Sequence, residues 1–593
     1  MKGIDNMQTW DLSIFYPNYD EWQKDLDIFE AQIDKFKDFK GKLGTYEGFR
    51  DYLLLEEDIV KTLYKVYAYA HLGADLNLKD NELGSKYQSV QLKLAKLGQA
   101  TSFFSPEVIS VGKEKIMEFV EKDPRLVPYK FVMEKLFFQQ EHVLSDDNER
   151  IMALHQPIRS IPTSMYNALA VGDRTDETVT LSDGQTLKIN TSNYRSILPN
   201  LKNASDRKTV FEAVFKRYKD NKNAFANLYN LVLQNLAASY KARGYKSALE
   251  SKLDSNNIPV SVFMNLKDVA YQNVDTIKRY IKLRKDYLGL DTYHTYDRFL
   301  QLAKSDKTYD YNEAKKLFFE SLEGLDEEFV KNEKAALDEG YVDVSPKEGK
   351  RTGAYSSGFY GWHPFILLNH DNTLDSVFTL AHEAGHSAHT IFSNNAQPMA
   401  VADYTIFVAE IASTFNEHLL SDHLLKQAKT KEEKIVILEN AIDGIMATFF
   451  RQTLFATYEY EANKLVEQGV PITEASLSKI MVDLYKHYYD IDIREEEGKQ
   501  YVWAYIPHLF HTPFYVYQYA TSYSASLKVY DNVKRGLPNA MENYKKMLKA
   551  GGSDYPVEIA KVADADLTDK STFEAVITRF NFLIDELEKT LKQ

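Results

Sequence analysis

Apolar residues recur at three- and four-residue spacing along most of this chain, and that period leaves packed helices as the main way to bury them. Trp22, Leu26, Phe29, Ile33, Phe36 and Phe39 form the first stripe, with acids and lysines between them. Tyr19-Asp20-Glu21 supplies acids at its start and Gly41 stands near its end, the charge and breaker pattern of a single helix. Similar stripes predict helices over 46–80, 83–103 and 106–121, and again over 206–219, 222–243, 260–288, 311–323 and 325–338, with Ser205 as a cap. Further helices are expected over 402–427, 431–467, 473–489, 513–534, 538–550 and 571–591. Aromatic stripes at this spacing read as core. The chain is therefore expected to be mainly α, without internal repeats.

Two stretches break the period. Glu177–Leu181 and Gln185–Ile189 flank Ser182-Asp183-Gly184, which reads as a β-hairpin on the surface. Residues 340–371 carry Gly353, Gly358 and Gly361, then the apolar run Phe365-Ile366-Leu367-Leu368-Asn369. That run is expected to be a short strand, and an exposed edge strand could pair with the backbone of an extended peptide.

Directly after it comes His382-Glu383-Ala384-Gly385-His386 in an apolar helical stretch that Asn372 or Thr373 can cap. Residues four apart share a helix face. His382 and His386 can therefore offer two imidazole nitrogens to one zinc ion, with Glu383 placed as a base for an activated water. Ten of the fourteen histidines lie between His363 and His511, which points to one polar centre there.

The chain has no cysteine, so disulfides, thiolate catalysis and Cys-ligated metal are excluded, and a metal must be held by His and carboxylate. This usage suits a reducing cytoplasm. No run of about 18 apolar residues suggests a membrane span, and the first residues lack the apolar core of a signal peptide. A net charge of −14 argues against nucleic-acid binding.

A catalytic zinc takes three protein ligands. His389 follows on roughly the same face, but 382 to 389 climbs about 10 Å of helix at 1.5 Å per residue. Bonds of about 2 Å do not let all three rings of a straight helix reach one ion. Glu410, in the apolar run Phe407–Phe415 of the next helix, is the better third ligand, because a buried carboxylate needs a partner. Asp403, Asn416 and Glu417 are candidates to orient the ligand histidines.

His382-Glu383-Ala384-Gly385-His386 followed by Glu410 resembles the thimet oligopeptidase and neurolysin family of zinc peptidases, and specifically its bacterial branch, oligoendopeptidase F. Tyr355-Ser356-Ser357-Gly358 with His363-Pro364 is similar to the family's substrate-strand segment, and Phe514–Ala520 to its tyrosine-rich stretch. The resemblance covers about residues 200–590. It implies a helical N-terminal lobe over 1–200 ending in the hairpin, and a catalytic domain over 201–593. It also implies two lobes around a deep channel, with a small β-region near the active site. From it follow one zinc per chain on His382, His386 and Glu410, short oligopeptides as substrates, and His508 with Tyr515 or Tyr517 as donors to the oxyanion. His511 is an alternative to His508.

Two other classes stand against this. A di-iron carboxylate oxidase needs a second E-x-x-H, and no histidine other than His386 has a Glu three residues before it. A scaffold with structural zinc has no need of Glu383. Among enzymes, an exopeptidase is the runner-up to an endopeptidase.

Overall fold

The computed structural model describes residues 8–593, of which 71% of the chain is helix and 3% strand, so the fold is mainly α as the periodicity predicts. The first stripe forms Tyr19–Ile33, where the Asn18 side chain accepts from the Glu21 N–H and Trp22, Leu26, Phe29 and Ile33 are buried. Each such side chain contributes roughly 1.5–3 kcal/mol of hydrophobic stabilisation. The helix does not run on to Gly41. Asp34–Phe39 tightens into a 3-10 helix that still buries Phe36.

Other predicted helices are cut where the backbone turns. Gly112, at φ +95°, separates Phe104–Val111 from Lys113–Lys122. Asn273 separates Val260–Gln272 from Val274–Tyr287. Helix over 204–220 is entered through Asn203 rather than Ser205. The stretch 431–467 is helical throughout but carries a π turn at Met446–Phe450.

Two compact units are present. One runs up to Glu141 and adds Lys307–Leu424 and Val529–Ala565; the other takes His142–Asp306, Leu425–Lys528 and Asp566–Gln593. Both are assembled from distant stretches of chain, unlike a division at 200/201, because helices far apart in sequence pack together.

In the first unit a core of Trp10, Phe15, Trp22, Phe29 and Phe49 reaches Phe359 and Phe365. It supports a three-stranded sheet in which Phe365–Leu367 lies in the middle. Val342–Asp343 pairs with it in parallel and Tyr355–Ser357 antiparallel. The expected edge strand is thus a central one. Phe365, Ile366 and Leu367 are fully buried, as a continuous apolar run requires when both faces are covered. The strands at the edges are Val342–Asp343 and Tyr355–Ser357.

In the second unit the hairpin forms as expected, Glu177–Thr180 against Thr186–Ile189, with Gly184 at φ +86° in its turn. It rests on helix Ala204–Asp220, where Asp206 accepts from the Ser182 N–H at 2.8 Å and from its hydroxyl at 2.7 Å. Helix Lys431–Ile445 packs along Lys570–Lys592.

Candidate metal centre

The motif lies on helix Leu374–Ala396, which Thr373 caps by accepting from the Ser376 N–H. Apolar residues around the motif bury this helix; Leu380, Ala381, Ala384 and Ala388 are fully covered. Helix Ile406–Gln427 crosses it closely. A Cβ on Gly385 would stand 2.6 Å from the Ala412 carbonyl oxygen and 2.7 Å from Ser413 Cα. Glycine between the two motif histidines is therefore what lets the Glu410 helix approach.

The approach brings three donor atoms together. His386 Nε2 is 3.2 Å from His382 Nε2, and Glu410 Oε2 is 3.3 Å from the first ring and 3.5 Å from the second, His382 and His386 respectively. Three donors held about 2.0–2.1 Å from one ion at tetrahedral angles are themselves about 3.3 Å apart. Two imidazoles and a carboxylate at that separation fit a divalent metal, and they are the one such group of three among the described residues. His389 is not part of it. It is 1% exposed, stacks on Tyr404 at 3.6 Å, and neither ring nitrogen has a hydrogen-bond partner.

Outer contacts fix the donors. Glu417 Oε1 lies 2.6 Å from His382 Nδ1, so of the three candidate orienting groups it is the one that meets a ligand ring. Asn416 instead donates to Glu333 at 2.8 Å and to the Ala381 carbonyl at 3.1 Å. The His386 ring is held by the Ala409 carbonyl, and Ser413 donates to Glu410 Oε2 at 3.0 Å.

The electrostatics follow from burial and pairing. Burial works against charge on His382, but the carboxylates of Glu410 and Glu417 outweigh it and hold the ring well above the usual histidine range. Burial alone would raise Glu410; the two imidazoles bring it down to about 2. Burial, with the charge on His382, takes His386 down to about 4. Burial pushes Glu383 up to about 7, against the pull of His382 and with a push from Glu410. One Glu383 oxygen is buried without a hydrogen-bond partner, while the carboxylate accepts from the Ser356 N–H. A carboxyl near neutrality with a free oxygen can take up and return a proton. Edge strand Tyr355–Ser357 is tied to the motif helix a second time, by Ser356 Oγ at 2.8 Å from Ser387 Oγ.

The remaining predicted residues lie in the second unit. His508 and Tyr515 stack with rings 6° apart and centroids at 5.7 Å, and Tyr519 meets both edge-on. Phe514, just before Tyr515, sits at φ +58° and donates its N–H to buried Glu459 at 2.7 Å. Tyr517 is not with this group: it is 2% exposed and packs edge-on against Phe263. His511 meets the edge of Tyr166. Tyr519, four residues from Tyr515, and Ser356, which reaches Glu383 through its backbone N–H, lie in segments quoted from the sequence but were not singled out there. His363 and His370 bond to the Ala335 and Tyr309 carbonyls, which makes both structural.

Paired imidazoles and a carboxylate facing a buried glutamate, on a helical fold, are the apparatus of a helical metallopeptidase. Comparison with known proteins places the chain further. Residues 197–578 match the model of peptidase family M3 and residues 107–175 match that of oligopeptidase F. Oligopeptidase PepF of Bacillus subtilis is 33% identical over 98% of this chain and 87% of its own. An oligoendopeptidase F homolog of Borreliella burgdorferi is also 33% identical, over 99% of this chain and 98% of its own. A crystal structure of a putative peptidase from Chlamydophila abortus superposes with a TM-score of 0.90 at 33% identity, covering 99% of this chain and 98% of that one. The chain belongs to peptidase family M3, in its oligoendopeptidase F branch, and is a metalloendopeptidase. Among the described residues no helix is long and apolar enough to cross a membrane.

Proposed function

We propose that the protein is a zinc-dependent endopeptidase that hydrolyses internal bonds of short, unstructured oligopeptides in the cytoplasm. The observation that carries this reading is the convergence of His382, His386 and Glu410 with Glu383 beside them. The donor set is nitrogen and oxygen with no thiolate, which suits zinc, and the family is one of metallopeptidases. When bound, the ion supplies Lewis acidity that acidifies a water molecule and polarises the scissile carbonyl. Glu383 takes the proton from the attacking water and delivers it to the leaving amine. Ser356 holds the Glu383 carboxylate through its N–H, and Glu417 keeps His382 in the tautomer that turns Nε2 inward.

Tyr355–Ser357 is the strand to which an extended peptide would add, since of the sheet's two edge strands it is the one whose Ser356 contacts Glu383 and Ser387 of the motif helix. The part of His508 and a tyrosine in stabilising the oxyanion rests on the family resemblance, and the His508–Tyr515–Tyr519 cluster makes Tyr515 the better of the two predicted tyrosines. The peptidase names of the relatives support oligopeptides as substrates.

The test is a mixed library of short peptides incubated with the purified protein, with and without a chelator, with products read by mass. Internal cleavage that stops with chelator and returns with zinc is expected. Products that all lose residues from one end would favour an exopeptidase, and blocking the N-termini would then abolish cleavage.

A further inference from the structure

Asp75 is a carboxylate in an unfavourable place. It lies in the last turn of helix Tyr46–Leu76 and is 1% exposed. Burial works against its charge, and so does the negative end of the helix dipole. Three donors gather on one of its oxygens. Oδ2 accepts from the Tyr355 hydroxyl at 2.7 Å and from Arg351 Nε at 2.8 Å, and His71 Nε2 stands 3.4 Å away. The Asp75 carbonyl also accepts from the Arg351 N–H at 2.9 Å. Asp75 therefore fastens residues 351–355 to the end of this helix. Gly349 adds to the attachment. Its carbonyl accepts from the Leu78 N–H at 2.6 Å, and a Cβ on it would stand 2.3 Å from Asn77 Oδ1.

Tyr355 opens the edge strand Tyr355–Ser357, and the strand carries the constraint on to the motif helix. Successive side chains of a strand point to opposite faces. Tyr355 reaches Asp75, whereas Ser356 turns to helix Leu374–Ala396, with its Oγ 2.8 Å from Ser387 Oγ and its N–H on the Glu383 carboxylate. Beyond Ser357 the chain stays against that helix: a Cβ on Gly358 would stand 2.5 Å from Thr390 Cγ2. The strand is three residues long and pairs on one side only, with Phe365–Leu367. So short an edge has little main-chain pairing to hold it. The bond from the Tyr355 hydroxyl to a carboxylate is of the stronger, charge-assisted kind. All of these residues belong to the first unit.

We propose that Asp75 is a positioning residue of the hydrolytic site, acting through Tyr355 to set where the Ser356 N–H meets Glu383. This rests on the reading of Glu383 as the general base. A base must stand where the attacking water can reach it, and a misplacement of about 1 Å caused far from the chemistry can cost on the order of a hundredfold in rate. Asp75 and Tyr355 supply that placement from outside the metal centre. Among the described residues, no hydrogen bond or ion pair joins either of them to His382, His386 or Glu410, so the metal is expected to bind normally without them.

The experiment measures kcat on one short peptide, with zinc supplied, for wild type, Tyr355→Phe, Asp75→Ala and Glu383→Gln, and for each of the first two variants combined with Glu383→Gln. Thermal melts and metal titrations accompany the rates. Tyr355→Phe removes one oxygen and keeps the ring, so it carries the test if Asp75→Ala does not fold. Each single variant should lower kcat on the order of tenfold to a hundredfold at unchanged metal affinity. In the Glu383→Gln background neither should lower it further, because groups that act as a unit are not additive. A normal kcat in Tyr355→Phe would overturn the proposal. The same fold loss in both backgrounds would overturn it too, since a purely structural role costs the same with or without the base, and so would weakened metal binding. The peptidase reading fails differently. Near-normal turnover in Glu383→Gln removes the base itself, whereas a depressed Glu383→Gln beside an unaffected Tyr355→Phe removes only the role of Asp75.

Discussion

Glu417 Oε1 stands 2.6 Å from His382 Nδ1, on the far side of the ring from Glu410. This contact connects the helix that carries Glu410 to the helix that carries both histidines a second time, and it decides which ring nitrogen is left for a metal.

Replacing Glu417 by Ala should therefore weaken metal binding by roughly 10–100-fold, the usual cost of losing such a partner. Competition with a chromophoric chelator reads this directly. Unchanged affinity would mean that packing alone orients the ring.

Gly385 makes the second prediction. Gly385→Ala places a methyl against Ala412 and Ser413, and the crossing must open by a few tenths of an ångström or more. A loss of about 1–3 kcal/mol of stability, typical of overpacking, is expected together with weaker metal binding, since Glu410 moves with its helix. A melt and a metal titration on the same sample check both.

Glu383→Gln should keep the metal and lose activity. Removing a general base costs roughly 10²–10⁴-fold in kcat, and Glu383 touches neither ligand-holding contact. Metal content by mass spectrometry beside single-turnover rates separates the effects; near-normal turnover would remove the base assignment.

The third ligand is tested by ranking. Glu410→Ala removes the oxygen facing both imidazoles, whereas His389→Ala removes a ring stacked on Tyr404. The first should abolish tight metal binding. The second should leave metal content near normal and cost stability, about 2–4 kcal/mol for a large buried side chain. The opposite ranking would show that the helix bends to bring His389 to the ion.

Among the tyrosines, Tyr515→Phe and Tyr519→Phe should lower kcat with little change in KM, and Tyr517→Phe should change activity least, because Tyr517 is buried against Phe263. Equal loss in all three would point to the loop's packing rather than to a hydroxyl donor.

Much of this protein is written locally. The 3.6-residue period of Trp22, Leu26, Phe29 and Ile33 suffices for a helix, and the i, i+4 histidines suffice for half a metal site, because both depend on spacing along one segment. What was not local was not legible. Phe365–Leu367 announces a buried strand, but whether it is central or at the edge depends on Val342–Asp343 and Tyr355–Ser357, which lie outside the run. Glu417 could not be told from Asn416 or Asp403 until two helices crossed at Gly385, and Tyr519 could not be preferred to Tyr517 until the turn at Phe514 set which tyrosines meet His508. By itself the sequence determined the helices, the motif and the kind of chemistry. The tertiary structure decided which side chains meet, since a hydrogen bond or a metal bond is set within tenths of an ångström by helix crossings that no single segment encodes.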